Sequence, residues 1–100
     1  MRGRNVMAKD FESFKNENFE KLDLYTTAII RAHGEHHPEF TDIRQSFEKI
    51  QAADANEDLT GEFENLKEFT NDYQAPADTC ETVVATFELL EQADKLYTNA

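Results

Sequence analysis

The feature that most restricts the fold of this chain is a series of four segments in which apolar residues recur every three or four positions. That interval places apolar side chains on one face of an α-helix, whereas a half-buried strand needs strict alternation, and no alternating stretch is long enough to compete. Only three short connections separate the segments, so consecutive helices are expected to run antiparallel. The sequence therefore predicts an all-α, up-down four-helix bundle as a single domain over residues 10–100.

The first segment is the least regular of the four. Asn16 and Asn18 weaken its middle, because asparagine competes with helical backbone hydrogen bonds. The main helix is therefore expected at about 18–33, with Asn18 as its cap. A separate helical turn carrying Phe11 and Phe14 is expected before it; the alternative is one long helix, which Asp10 and not Asn18 would cap. The apolar positions of the whole segment are Phe11, Phe14, Phe19, Leu22, Tyr25, Ala28, Ile29 and Ala32.

The other three helices are expected at about 38–53, 57–73 and 79–97. Asn56 is placed to cap the third helix, and Asp78-Thr-Cys-Glu81 has the form of a capping box for the fourth. Their predicted core positions are Phe40, Ile43, Phe47 and Ile50; Leu59, Phe63, Leu66, Phe69 or Thr70, and Tyr73; and Cys80, Val83 or Val84, Phe87, Leu90, Ala93 or Asp94, and Tyr97.

All three histidines lie in the nine residues Arg31–Glu39, between the first and second helices. Gly34 suits the left-handed position just after a helix, and Pro38 suits the first turn of the next one. The histidines are therefore expected at a helix-helix corner.

This corner is the first candidate for chemistry. His33, His36 and His37 could point at one place, with Glu35 or Glu39 nearby, and imidazole and carboxylate groups together bind divalent ions. The alternative is that these side chains are surface residues or helix caps.

Four further residues are weaker candidates for a site. Asp23, Glu62 and Asp94 lie at the edges of apolar stripes, where a carboxylate either points inward or is simply solvated. Cys80 lies close to a predicted helix start, which can lower a thiol pKa. The simpler interpretation of Cys80 is a small apolar group in the core.

The charge of the chain is strongly negative and unevenly distributed. The net charge is -11, and residues 51–100 carry two basic against twelve acidic side chains, a net of -10. Nucleic acid and anionic membrane are therefore unsuitable partners, since both require clustered Lys and Arg. The acidic half is expected to be a solvated surface, or to attract a basic partner or cations.

The remaining composition indicates a soluble cytoplasmic protein. A single cysteine excludes an intrachain disulfide and fits a reducing compartment. No apolar run approaches the roughly 20 residues of a membrane span. The basic start lacks the apolar centre of a signal peptide, so residues 1–9 are expected to be a disordered extension, with Met7 as an alternative start.

Two stretches together resemble one family. Residues 33–39 read His-Gly-Glu-His-His-Pro-Glu, which resembles the His-Gly-x-x-His-Pro-Glu segment of the iron-sulfur cluster repair di-iron proteins, the RIC family. Residues 70–82 contain Thr-Asn-Asp-Tyr, Pro76, and Cys80 followed by Thr82, similar to that family's Thr-Asn-Asn-Tyr, Pro and Ala-Cys-x-Thr pattern. The matches occur in the family's order.

The resemblance implies a haemerythrin-like bundle that serves repair of iron-sulfur clusters after nitrosative or oxidative damage, with a di-iron centre. Several ligand positions of the family have no counterpart here. No histidine precedes His33, and none lies between Ala52 and Asn65. The chain ends three residues after Tyr97, and the family's N-terminal cysteine domain is absent. A shortened relative that has lost most metal ligands is therefore expected.

The sequence thus leads to a functional prediction with one rival. The chain is expected to assist iron-sulfur cluster repair or iron handling without independent catalytic activity, with iron as the implied cofactor. Its metal residues would be His33, which matches a family ligand, with His37 and Glu39. Its partners would be iron-sulfur proteins or a repair protein, and a homodimer stays open. The rival is a metal-free acidic module for protein interaction.

Overall fold

The structure is a computed structural model that describes the backbone of residues 2–99 and the side chains of residues 11–99. It contains four helices and, between residues 2 and 99, no strand, which confirms the all-α prediction. The helices are α1 (Arg2–His33), α2 (Glu39–Ala52), α3 (Thr60–Phe69) and α4 (Glu81–Thr98).

Each helix packs against two others around one core. Helix α1 contacts α2 and α4, and α3 contacts the same two helices. The molecule measures 46 × 22 × 21 Å. Its length matches α1, whose 32 residues span about 48 Å at a rise of 1.5 Å per residue.

Helix α1 is continuous, so the predicted break near Asn16 and Asn18 is wrong. Asn18 does not cap a helix; its side-chain Nδ2 donates to the carbonyl of Phe14 at 3.2 Å, one turn earlier. Phe11 and Phe14 are buried in the core, and this packing outweighs the low helix propensity of the asparagines. Asp10 lies inside α1, so the predicted cap at Asp10 is also wrong. The disordered extension over residues 1–9 stays a prediction.

The core consists largely of phenylalanine rings. Phe40 and Phe47 are fully buried, and Phe19 meets Phe47 edge to face with ring centroids 5.1 Å apart. Phe40 meets Phe87 in the same way at 6.0 Å. Nearly all predicted core positions on α2, α3 and α4 are therefore confirmed; Cys80 is the clear exception.

The core also contains a polar side chain, Thr26, that the apolar pattern did not predict. Thr26 is fully buried and donates to the carbonyl of Leu22 at 2.8 Å. Its Oγ1 accepts a hydrogen bond from Arg44 at 2.8 Å, and Arg44 also pairs with Asp23 at 3.0 Å. These contacts join α1 to α2 and leave the buried hydroxyl satisfied.

Helix α3 is shorter than predicted at both ends. It begins at Thr60, whose amide is capped by Asp58 at 3.0 Å, so the expected cap at Asn56 is wrong. It ends at Phe69 and not at Tyr73, because the segment 71–73 adopts left-handed φ angles of 53°, 62° and 63°. Left-handed backbone cannot continue a right-handed helix, and each such residue costs about 1 to 2 kcal/mol.

The described helices include none that is both long and apolar enough to cross a membrane.

Replacing Phe47 by Ala tests the packing of the core. The ring is fully buried, so its removal should lower the free energy of unfolding by about 3 to 5 kcal/mol. Urea titration followed by circular dichroism measures the change. Leu24→Ala is the control, since Leu24 is 65% exposed and its truncation should cost under about 0.5 kcal/mol. Equal effects of the two substitutions would contradict this core.

Candidate functional site

The histidine corner is built by the last turn of α1 and a tight bend. The amide of Gly34 donates to the carbonyl of Ile30 at 2.8 Å, and the amides of His36 and His37 both donate to the carbonyl of His33. Gly34 does not adopt the left-handed conformation that the sequence suggested. Glycine is needed for another reason: a Cβ would lie 2.5 Å from the Ile30 carbonyl oxygen, well inside contact distance.

His37 lies between two carboxylates from different parts of the chain. Its Nδ1 is 3.0 Å from Oε2 of Glu39, and its Nε2 is 3.0 and 3.1 Å from the two oxygens of Asp78. The ring stacks on Phe40, with centroids 5.0 Å apart and planes inclined by 14°. A carboxylate only accepts, so both ring nitrogens carry protons and His37 is an imidazolium.

The electrostatics agree with this protonation state. The hydrogen bond to Glu39 is the main cause that raises the pKa of His37, and Asp78 raises it further, while partial dehydration opposes both. His37 in turn lowers the pKa of Asp78. The ion pair therefore stabilises the contact between the α1-α2 corner and the segment before α4.

Asp78 does not cap α4, so the predicted capping box is wrong. The cap residue is Cys80, which makes no side-chain cap hydrogen bond. The carboxylate of Asp78 contacts His37 across the corner instead. A protonated His37 is a charged donor, whereas a backbone amide is neutral, so the contact with His37 pairs two opposite charges.

His33 lies next to Cys80 at the same end of the molecule. The Cys80 amide donates to Nε2 of His33 at 3.4 Å, and the thiol is exposed, so the expected core position of Cys80 is wrong. The His33 side chain is the largest cause that lowers the pKa of the thiol to about 7, and the amides of Val83 and Thr82 at the start of α4 add to it. The lowered pKa increases the thiolate fraction of Cys80 near neutral pH relative to an ordinary cysteine.

The three residues predicted to bind metal are only partly brought together. His37 and Glu39 contact each other directly, and the rings of His33 and His37 are 6.4 Å apart at their centroids. His33 instead accepts a hydrogen bond from the backbone amide of Cys80, a contact that the sequence did not predict. His36 is exposed.

These residues do not fit a di-iron centre. Among the described side chains, no group of three or more His, Cys, Asp and Glu could hold a metal ion. Both nitrogens of His37 already face carboxylates, and the space between the helices is filled by Phe47, Phe63 and Phe87 where a bundle centre would place inward ligands.

The other candidate carboxylates have separate environments. Asp23 pairs with Arg44, and Asp94 is buried and accepts a hydrogen bond from the Tyr73 hydroxyl at 2.7 Å. Glu62 has a buried Oε1 without a hydrogen-bond partner in the described part of the chain. The three carboxylates therefore have different surroundings and do not form one site.

The segment 70–80 is held at both of its ends. Tyr73 donates its hydroxyl to buried Asp94 and its amide to Oγ1 of Thr70 at 2.8 Å, while Asp78 binds His37. Burial raises the pKa of Tyr73, so the hydroxyl stays protonated as the donor. As a result, the two stretches on which the family resemblance was based meet at one end of the molecule.

No family model, no curated protein and no solved structure matches this chain.

The His37 ion pair predicts how stability depends on pH. The folded-state pKa of His37 lies above its ordinary value of 6.5, so its contribution is fully present below that pH and is lost as pH rises through the folded pKa. His37→Gln should therefore lower the melting temperature more at about pH 5.5 than at about pH 9. His36→Gln, at an exposed neighbouring position, is the control. A His37→Gln effect that is the same at both pH values would contradict the imidazolium assignment.

Replacing Tyr73 by Phe tests the hydrogen bond between the segment 70–80 and buried Asp94. The change leaves the buried Asp94 carboxylate without its donor, which should cost about 1 to 3 kcal/mol of unfolding free energy. Chemical denaturation of both proteins measures the difference. Tyr25→Phe removes a hydroxyl from a half-buried tyrosine on α1 and should change stability by less than about 0.5 kcal/mol. Similar values for the two variants would mean that the Tyr73-Asp94 contact adds nothing.

Proposed function

We propose that this chain is a small RIC-like protein that assists repair of iron-sulfur clusters, or handles iron for it, in the cytoplasm under nitrosative or oxidative stress. In this proposal the helices form an antiparallel, haemerythrin-like bundle. The chain does not act as an enzyme alone and keeps no di-iron centre, and iron reaches it as cargo from an iron-sulfur protein or a repair partner.

One observation carries the proposal. The two stretches that resemble the RIC family are separated by 30 residues in the chain, yet they are joined by the His37-Asp78 ion pair and by the Cys80 amide on His33. An up-down bundle already brings its first and third connections to one end, so the support comes from these specific polar contacts and not from proximity alone. Their contact is what is expected if they form one functional unit.

The chemistry of the corner suits a transient contact with iron. An imidazole at His33 and a partly ionised thiol at Cys80 lie side by side, and both are ligand types that iron accepts. Two donors are too few to retain a metal, so the remaining ligands would come from the client or from a second chain. His37 and Glu39 are the less suitable ligands, because a metal would first have to displace Asp78 from His37.

A second function is favoured by a different observation. Both nitrogens of His37 are used to hold two parts of the backbone together, which is a structural task. The second half of the chain carries a net charge of -10. Both features suit a metal-free acidic module that docks a basic partner.

Ferrous iron titration under anaerobic conditions tests the leading proposal. We expect weak binding by the wild-type protein, weakened at least about tenfold in His33→Ala, as is usual when a group at a metal site is lost. Cys80→Ser should act in the same direction. His36→Ala, at the same corner but exposed, is the matched control and should bind like the wild type. Binding that does not respond to His33→Ala would refute the role of the corner.

A repair assay separates the two functions. An iron-sulfur dehydratase inactivated with nitric oxide is incubated with iron and either the wild-type chain or His33→Ala. Faster recovery with the wild type than with the variant supports the iron-handling proposal. Equal recovery with both, together with salt-sensitive capture of the dehydratase in the presence of a chelator, favours the metal-free module. Two irons per chain in protein purified from iron-replete cells would overturn both.

A further inference from the structure

An open cavity lies at the opposite end of α2 from His37. It has a volume of about 580 Å³ and opens to solvent where α1, the loop before α3 and the end of α4 come together. The 14 residues of α2 separate it from the histidine corner by about 20 Å at 1.5 Å per residue. It therefore shares no residue with the site considered above.

The floor of the cavity is aromatic and rigid. Phe11 and Tyr97 pack edge to face with centroids 5.3 Å apart, and Phe63 supports Tyr97 from below at 5.2 Å. The Tyr97 hydroxyl accepts a hydrogen bond from the amide of Leu59 at 2.8 Å, which fixes the ring at the start of α3. The cavity is thus formed before any ligand arrives, which lowers the entropic cost of binding.

The rim of the cavity is acidic. Glu12, Asp54 and Glu57 all line it and are all exposed. Lys15 is the one cation among the described side chains that line the cavity, and it donates to the carbonyl of Ala53 at 3.1 Å at the end of α2. Three carboxylates against one already engaged ammonium group leave the mouth negative, and the charge of the whole chain has the same sign.

We propose that this cavity binds an organic cation with an apolar body, such as an aromatic or long aliphatic amine. A volume of about 580 Å³ lies within the roughly 300–1,000 Å³ of pockets that enclose such molecules. The aromatic rings of Tyr97 and Phe11 line the cavity, and aromatic rings attract a positive charge as well as an apolar surface. The carboxylates of Glu12 and Glu57 then hold the charged group at the mouth. This site is independent of the iron-sulfur proposal.

Two fluorescent probes of opposite charge test the preference. Thioflavin T is a planar aromatic cation, and anilinonaphthalene sulfonate is an aromatic anion that reports apolar surface regardless of site. We expect saturable binding of thioflavin T at one site per chain and at least about tenfold weaker binding of the anion. Nuclear magnetic resonance signals of Phe11 and Tyr97 should shift with thioflavin T while those of His33 and His37 do not. Equal affinity for both probes would overturn the proposal.

Variants of the whole chain locate the site. Ala55 is an exposed lining residue, so Ala55→Trp should fill the cavity and abolish thioflavin T binding without disturbing the core. Glu12→Gln with Glu57→Gln should weaken binding about three- to tenfold, as expected for two surface charge contacts. The matched control replaces two exposed acids outside the cavity, Glu20→Gln with Glu88→Gln, which changes the net charge equally.

The control separates a site from general attraction to an acidic protein. A lower affinity for thioflavin T in the Glu12→Gln/Glu57→Gln variant, without a change in the Glu20→Gln/Glu88→Gln control, supports the proposal. The same loss in both pairs, or unchanged binding in Ala55→Trp when circular dichroism shows that it is folded, would overturn it.

Discussion

The connections at one end of this molecule are joined by a charged contact, His37 between Glu39 and Asp78. It joins the corner after α1 to the segment before α4, which lie 41 residues apart in the chain. A bundle core holds helix faces together but does not determine how the connections at its end are arranged. Here a charge-assisted pair does so, and it also places Cys80 beside His33. The geometry of the candidate site is therefore a consequence of the contact that organises this end of the fold.

The core and the corner have different chemistry, and this difference bears on function. The centre of the bundle is occupied by fully buried rings such as Phe40 and Phe47, and the buried hydroxyl of Thr26 is satisfied by Leu22 and Arg44. The side chain of His33 is partly exposed and the thiol of Cys80 is exposed. In the proposed function, these two groups would be accessible to a partner.

The helical fold was predictable from the sequence because a three-four apolar interval has few other interpretations, and Phe40, Phe47, Phe63 and Phe87 are buried as predicted. The errors have specific physical causes. Propensity suggested a break near Asn18, but buried neighbours override weak local preferences. Asp78 was interpreted as a cap because a local pattern does not reveal a partner 41 residues away. The same limitation concealed the pairing of His33 with Cys80. The corner itself was identifiable, since glycine, proline and three histidines coincide there.

The left-handed backbone of residues 71–73 indicates that the connection before α4 opens more easily than the helices separate. Its strain is offset by contacts of the same segment, namely the burial of the Tyr73 ring, its hydrogen bond to Asp94, and the ion pair of Asp78 with His37. Opening this connection would expose far fewer buried apolar side chains than separating the helices, so it would require less free energy. Such an opening would detach Cys80 from His33 while the four helices stay packed.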